Sequence, residues 1–264
     1  MGAENYWKHY QNVKIPVKGL SVSPLPVRLA DWDKFAPIGG MYLNVCEDLL
    51  RKRLKLDESI TLLDYIGMCL INDSEDLTSD NPEKNKIIEF SNMLSYAFRL
   101  PVEGMVEKKN GELRLVFRIN GNNKDLITRE NYAEVRELIM EQNLFYDPII
   151  APNAKSQELI DKAIARMAKS SSDIETNIES MLVLVSRHRD INSDDYTYYK
   201  LRADYEMELR LEQSRAIPTY RAVGADIPPI ELGEVLGMHT NPYSKDKLFK
   251  RNDRSKDAST MSAK

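Results

Sequence analysis

The sequence predicts a mainly α chain with a small antiparallel β-meander, an α+β protein in two helical halves. Apolar residues recur at steps of three and four over most of the chain, the spacing of one helix face. Only 103–127 changes to a period of two, between Asn-Gly turn signals. A connector at 144–155, holding Pro148 and Pro152, separates the halves. With 264 residues and 42% hydrophobic composition, the chain can fill one large or two smaller cores without staples.

Residues 1–38 contain Pro16, Pro24, Pro26 and Pro37 among short alternations such as Val13, Ile15 and Val17. Proline removes ladder donors, so an extended N-terminal arm is expected, lying along the rest of the protein. Within it, Trp32 and Phe35 sit in a short helical or turn segment, where they anchor the arm to the core or, on the sharper reading, contact a partner.

Residues 39–147 read as a helical bundle with the meander and a following helix. The first stripe is Tyr42, Val45, Cys46, Leu49 and Leu50; the second is Ile60, Leu63, Ile66, Gly67, Leu70 and Ile71. Ile87, Phe90, Leu94, Ala97 and Phe98 form a third, ended by Pro101. The acidic connection 72–84 lacks the central glycine and terminal glutamate of a calcium loop, which leaves a solvated surface loop. Lys108-Lys-Asn-Gly111 and Ile119-Asn-Gly-Asn-Asn123 bracket Leu113, Leu115, Phe117 and Ile119, giving a three-stranded meander closed by Leu126 and Ile127. Thr128 then caps a helix with Tyr132, Val135, Leu138 and Ile139 inward, which the sheet needs to lean on.

Beyond the connector comes a helix with Leu159, Ile160, Ala163, Ile164 and Met167, then Ser170-Ser-Ser. The domain at 156–215 centres on a helical hairpin. Its first helix carries Ile174, Ile178, Met181, Leu182 and Val185; after a polar break with Asn192 or Ser193 as cap, the second carries Tyr198, Leu201, Tyr205 and Leu209 on one face. Tyr196 and Tyr199 fall off that stripe and are candidate partner contacts. Arg187 and Arg189 sit where cations complement helix-end carbonyls, with an anion or nucleic-acid contact as the sharper alternative. Residues 216–264 lose periodicity through Pro218, Gly224, Pro228 and Pro229. Over 245–264, seven basic residues against three acidic ones give +4, so a mobile, basic C-terminal segment is expected.

The chain carries 37 basic against 41 acidic residues, a net charge of -4, which gives no general reason to expect nucleic acid as the main ligand. Cys46 and Cys69 lie within apolar helical patterns and read as small buried hydrophobes. His9, His188 and His239 are mutually distant and none has metal-ligand spacing. No phosphate loop, dinucleotide fingerprint or nucleophile elbow occurs, so neither a catalytic residue, a cofactor nor a metal is assigned. No run approaches the about 18 apolar residues that cross a bilayer. The N-terminus lacks the order of a signal peptide, so cytosolic synthesis is expected. Gly2 fails the myristoylation motif because position 6 is Tyr.

The order of parts resembles tail-assembly proteins of tailed bacteriophages over roughly residues 20–215. The likeness lies in the extended segment with its aromatic-acidic turn, the meander leading into Thr128–Ile139, the serine-rich link and the hairpin with Ser-Asp-Asp-Tyr at 193–196. The chain departs from compact assembly chaperones in its length and its proline-containing, basic C-terminal segment. The resemblance implies a non-enzymatic virion assembly protein that acts in the host cell cytoplasm and binds helical tail proteins or copies of itself. Alternatives are a structural neck, tail or baseplate component, a nucleic-acid-binding adaptor at the head-tail junction, or an enzyme built from dispersed carboxylates.

Overall fold

The structure is a computed structural model. It describes residues 5–44, 57, 59–73, 86–109, 112–147, 151, 153–170, 178–191, 194–224 and 238. Among these, eight α-helices and one three-stranded antiparallel sheet make an α+β fold. The chain divides into two compact units, Met1–Asp147 with Asn177–His239, and Pro148–Thr176 with Thr240–Lys264.

The first unit is built around the meander. Strands β1 (Val102–Lys109), β2 (Glu112–Ile119) and β3 (Asn122–Ile127) pair in sequence order, with Val102 opposite Ile119 and Phe117 opposite Ile127. Asn120 and Gly121, at φ 50° and 66°, make the left-handed turn that suits a right-twisted hairpin. The period-two pattern puts Leu115, Phe117 and Ile119 on the inner face, where all three are buried. Two helices cover that face: α3 (Leu62–Asp73) packs on β2, and α4 (Lys86–Phe98) on β1.

Each helix buries the stripe its spacing marks out. In α3, Leu63, Ile66 and Leu70 are buried; in α4, Ile87, Phe90, Leu94, Ala97 and Phe98 are. Thr61 and Asp64 start α3 with a reciprocal cap: the Thr61 N–H donates to the Asp64 carboxylate at 3.0 Å, and the Asp64 N–H to the Thr61 hydroxyl at 3.3 Å. The Phe90 ring meets Tyr42 from α2 (Trp32–Leu43), Phe117 from β2 and Tyr132 from α5 (Tyr132–Gln142), with centroids 4.9, 5.0 and 6.1 Å away. One aromatic ring thus joins four elements. Helix α5 buries Tyr132, Val135, Leu138 and Ile139. Its N-cap is Asn131 rather than the expected Thr128, which opens the preceding turn: the Thr128 carbonyl accepts from the Tyr132 N–H at 2.9 Å.

The N-terminal region differs from a uniform arm. Helix α1 (Tyr6–Tyr10) precedes an extended stretch, and α2 begins at Trp32, running through Pro37. Proline at the sixth helical position forfeits one hydrogen bond, which the packing of Trp32, Phe35 and Leu43 outweighs. The extended stretch is threaded into the core. Leu25 N–H donates to the Ala97 carbonyl at 2.8 Å, Val27 N–H to Asn143 Oδ1 at 2.9 Å and Leu29 N–H to the Tyr196 carbonyl at 2.9 Å. In return, the Pro24 carbonyl accepts from Gln142 and the Pro26 carbonyl from Arg99. Further back, the Ser21 N–H and hydroxyl both donate to the Asp125 carboxylate, at 2.6 and 2.7 Å.

The hairpin helices α7 (Ile178–Val185) and α8 (Tyr198–Ala222) pack on each other and belong to the first unit. The sequence reading set 156–215 apart as one domain. Instead, an antiparallel bridge between Arg28 and Thr197 and the stacking of Tyr198 on Trp32 tie the hairpin to the thread, while α6 (Ala154–Ser170) lies in the second unit. Thr197 caps α8, its hydroxyl accepting from the Lys200 N–H; the candidate caps Asn192 and Ser193 lie outside the described residues. Helix α8 also continues through Pro218, which is exposed and four residues from the helix end, where one lost hydrogen bond does not stop it. In the second unit, α6 buries Ile160 and leaves Leu159 exposed. The stripe residues Val45, Cys46, Leu49 and Leu50, Ile174, most of the acidic connection 72–84 and the basic segment 245–264 lie outside the described residues.

Two measurements check this packing. A Cβ on Gly104 would lie 2.5 Å from Ile87 Cγ2 and 2.8 Å from Ser91 Oγ, so Gly104→Ala is expected to cost about 1–3 kcal/mol in urea denaturation. Hydrogen bonds from Ser21 hold the Asp125 carboxyl below its ordinary pKa. A depressed pKa contributes stability above the unfolded-state value that is lost as pH falls, so parent stability should drop below about pH 4 while Asp125→Asn, weaker at neutral pH, shows a flatter acid dependence.

Candidate functional site

Helix α8 carries the chemistry-bearing side chains of the first unit. It is covered on two sides, by α7 and by α1, so its buried arc is wider than a single stripe. Leu201 is buried as expected. Tyr199, read as a contact candidate, is 1% exposed, and Tyr196 is also buried; Tyr205 and Leu209 of the expected stripe are only half-buried. A one-partner hairpin would leave Tyr199 outside, but α1 occupies that side.

Two acids lie in the buried arc one helical turn apart. Asp204, 5% exposed, accepts hydrogen bonds from the Tyr10 hydroxyl on Oδ1 and the Tyr196 hydroxyl on Oδ2, both at 2.8 Å. Arg189 Nε stands 3.9 Å from the same carboxylate. Glu208, also buried, faces His188 Nε2 at 4.0 Å. Burial and the bond to Asp204 push the Tyr10 hydroxyl up to about 12, and the same causes, in the same order, raise Tyr196. A buried carboxylate demands strong donors, and here two phenols supply them.

A second buried pair lies under α1. The fully buried His9 ring places Nε2 3.4 Å from Glu141 Oε1 and meets the Tyr199 ring edge-on, with centroids 5.5 Å apart. Burial and the Glu141 charge raise the Tyr199 hydroxyl. A lone histidine in a five-residue helix gives no periodic signal, so this pairing was not legible beforehand.

The remaining candidates are placed as follows. Trp32 stacks on Tyr198 at 3.6 Å and 10°, and Phe35 meets Phe145 edge-on at 5.9 Å. Both rings are buried in their own core, so they anchor the thread and α2 rather than present themselves to a partner. Arg187 and Arg189 follow the end of α7, where the His188 and Arg189 N–H groups donate to the Val185 carbonyl. Both arginines are exposed, Arg189 with its Nε turned toward Asp204.

Beside this network lies a cleft of about 470 Å³ lined by Arg28, Asp31, Asp194, Leu182, Ile191 and the Tyr196 ring, within the size range of small-ligand sites. Its mixture of one cation, two acids and apolar walls suits a charged side chain more than a reaction centre. Among the described residues, no three His, Cys, Asp or Glu side chains are grouped to hold a metal. No described helix is long and apolar enough to cross a membrane. Comparison of the chain with family models, curated proteins and solved structures gives no match in any of the three.

Because Tyr196 donates to a buried charge, Tyr196→Phe is expected to lower stability by about 1.5–3 kcal/mol in urea denaturation. In the background of Asp204→Asn the same substitution should cost less, and equal costs in the two backgrounds would refute the coupling.

Proposed function

We propose that this chain is a non-enzymatic assembly protein of a tailed bacteriophage, which binds helical tail proteins or further copies of itself in the host cytoplasm while the virion is put together. Helix α8 is the observation that carries this reading. At 25 residues it is about 37 Å long. Its first three turns are fixed by Tyr199, Leu201, Asp204 and Glu208, while most of its surface from Glu212 onward is exposed among the described residues. Tyr220, at 53% exposure, in its last turn and Val223, at 79%, just past its end are side chains that a second helix would cover.

The network at the root supports the same reading. Both Asp204 oxygens are already engaged by phenols, so the carboxylate shapes the helix base instead of serving an incoming substrate. A helix with an anchored root and an accessible end is a docking element, recognised through apolar residues spaced along one side.

Size-exclusion chromatography with light scattering, with and without co-expressed tail proteins, tests it. The parent should form oligomers or capture a tail protein, and Tyr220→Glu combined with Val223→Glu should abolish that association at an unchanged thermal midpoint. A parent that stays monomeric and captures no virion protein refutes the proposal. Binding to DNA that weakens steeply with salt would instead favour an adaptor using Arg187 and the basic residues 245–264.

A further inference from the structure

We propose that the pocket between α1, Leu144 and α8 is the docking site of the chain's own C-terminal segment, and that Met238 is the latch that closes it. Met238 is 5% exposed and packs against the buried Tyr199 and Ala203, with Tyr10 and Leu144 at the sides. Its main chain is held on both sides of the residue. The Met238 N–H donates to Glu206 Oε2 at 2.9 Å, and its carbonyl accepts from the Tyr146 hydroxyl. Main-chain bonds combined with a side-chain pocket are how proteins grip a passing peptide segment, the bonds supplying affinity and the pocket choosing the side chain. An unbranched thioether suits a pocket walled by a tyrosine ring and an alanine.

Chain length supports docking within one molecule. Met238 sits beside Glu206, which lies 18 residues before Gly224; along a helix that distance is roughly 27 Å. The 14 residues from Gly224 to Met238 reach about 46 Å when extended, enough to double back without a second copy. Latching covers the Tyr199–Ala203 side of α8 and presses α1 against it, because Tyr10 is both a wall of the pocket and a donor to Asp204.

Hydrogen exchange on the full-length protein tests the latch, with Met238→Asp and the volume-conserving Met238→Leu compared with the parent. In Met238→Asp, exchange in peptides covering 6–12 and 144–147 should rise about tenfold or more, with α4 and the meander unchanged. Met238→Leu should keep the parent pattern, and a synthetic peptide of residues 232–245 should restore protection to Met238→Asp. The proposal fails if Met238→Asp exchanges like the parent, or if the meander loses protection equally, which would make Met238 ordinary core. Parent protection that falls on tenfold dilution would assign the pocket to a segment from a second copy and overturn docking within one chain.

Discussion

The fold depends on satisfying the peptide groups of one extended segment, Pro24–Leu29. Buried backbone donors and acceptors must find partners, and two prolines have already removed the donors that a sheet would use. Of the four N–H groups that remain, those of Leu25, Val27 and Leu29 are taken by a helix-end carbonyl, a side-chain amide and a carbonyl just before α8. Strand pairing is confined to its end, at the Arg28–Thr197 bridge, because Pro24 and Pro26 lack the donors a longer ladder needs. The segment therefore organises α4, α5 and α8 around itself, and Gln142, Asn143 and Arg99 are polar residues at helix ends because that is where its main chain passes.

Around this thread the packing is hierarchical. Phe90 fastens the meander to α2, α4 and α5 through ring contacts, and Arg136 bonds the Leu43 carbonyl at the end of α2, so the first half is locked by apolar and polar ties together. The hairpin joins through the Arg28–Thr197 bridge and the Trp32–Tyr198 stack. Its buried Asp204 then ties back to α1 by accepting from Tyr10. Packed and hydrogen-bonded at its base, α8 is exposed toward its end.

Much of the fold was legible because it is written locally. The stripes at Leu63–Leu70, Ile87–Phe98 and Tyr132–Ile139 and the alternation Leu115–Ile119 each state which side of one element is apolar, and the structure buries those sides. The site was less legible, since its contacts join residues far apart in the chain. Tyr199 looked free because no local pattern announces that α1, nearly the full length of the first unit away, will cover it. Trp32 and Phe35 read first as anchors of the arm to the core, and Tyr198 and Phe145 are the rings they anchor on. Asp204 and Glu208 carry no mark of burial in their own helix; their partners are Tyr10, Tyr196 and His188 in the turn after α7.

The thread also carries a consequence for biosynthesis. The acceptors of its N–H groups at Ala97, Asn143 and Tyr196 leave the ribosome in that order, so Pro24–Leu29 waits for the last of them until 167 residues beyond Leu29 have been made. Until then its backbone is only partly matched and Val27 has no settled burial. A nascent chain consequently carries this stretch unpartnered for most of its synthesis, even though in the finished protein Pro24, Pro26 and Val27 are buried.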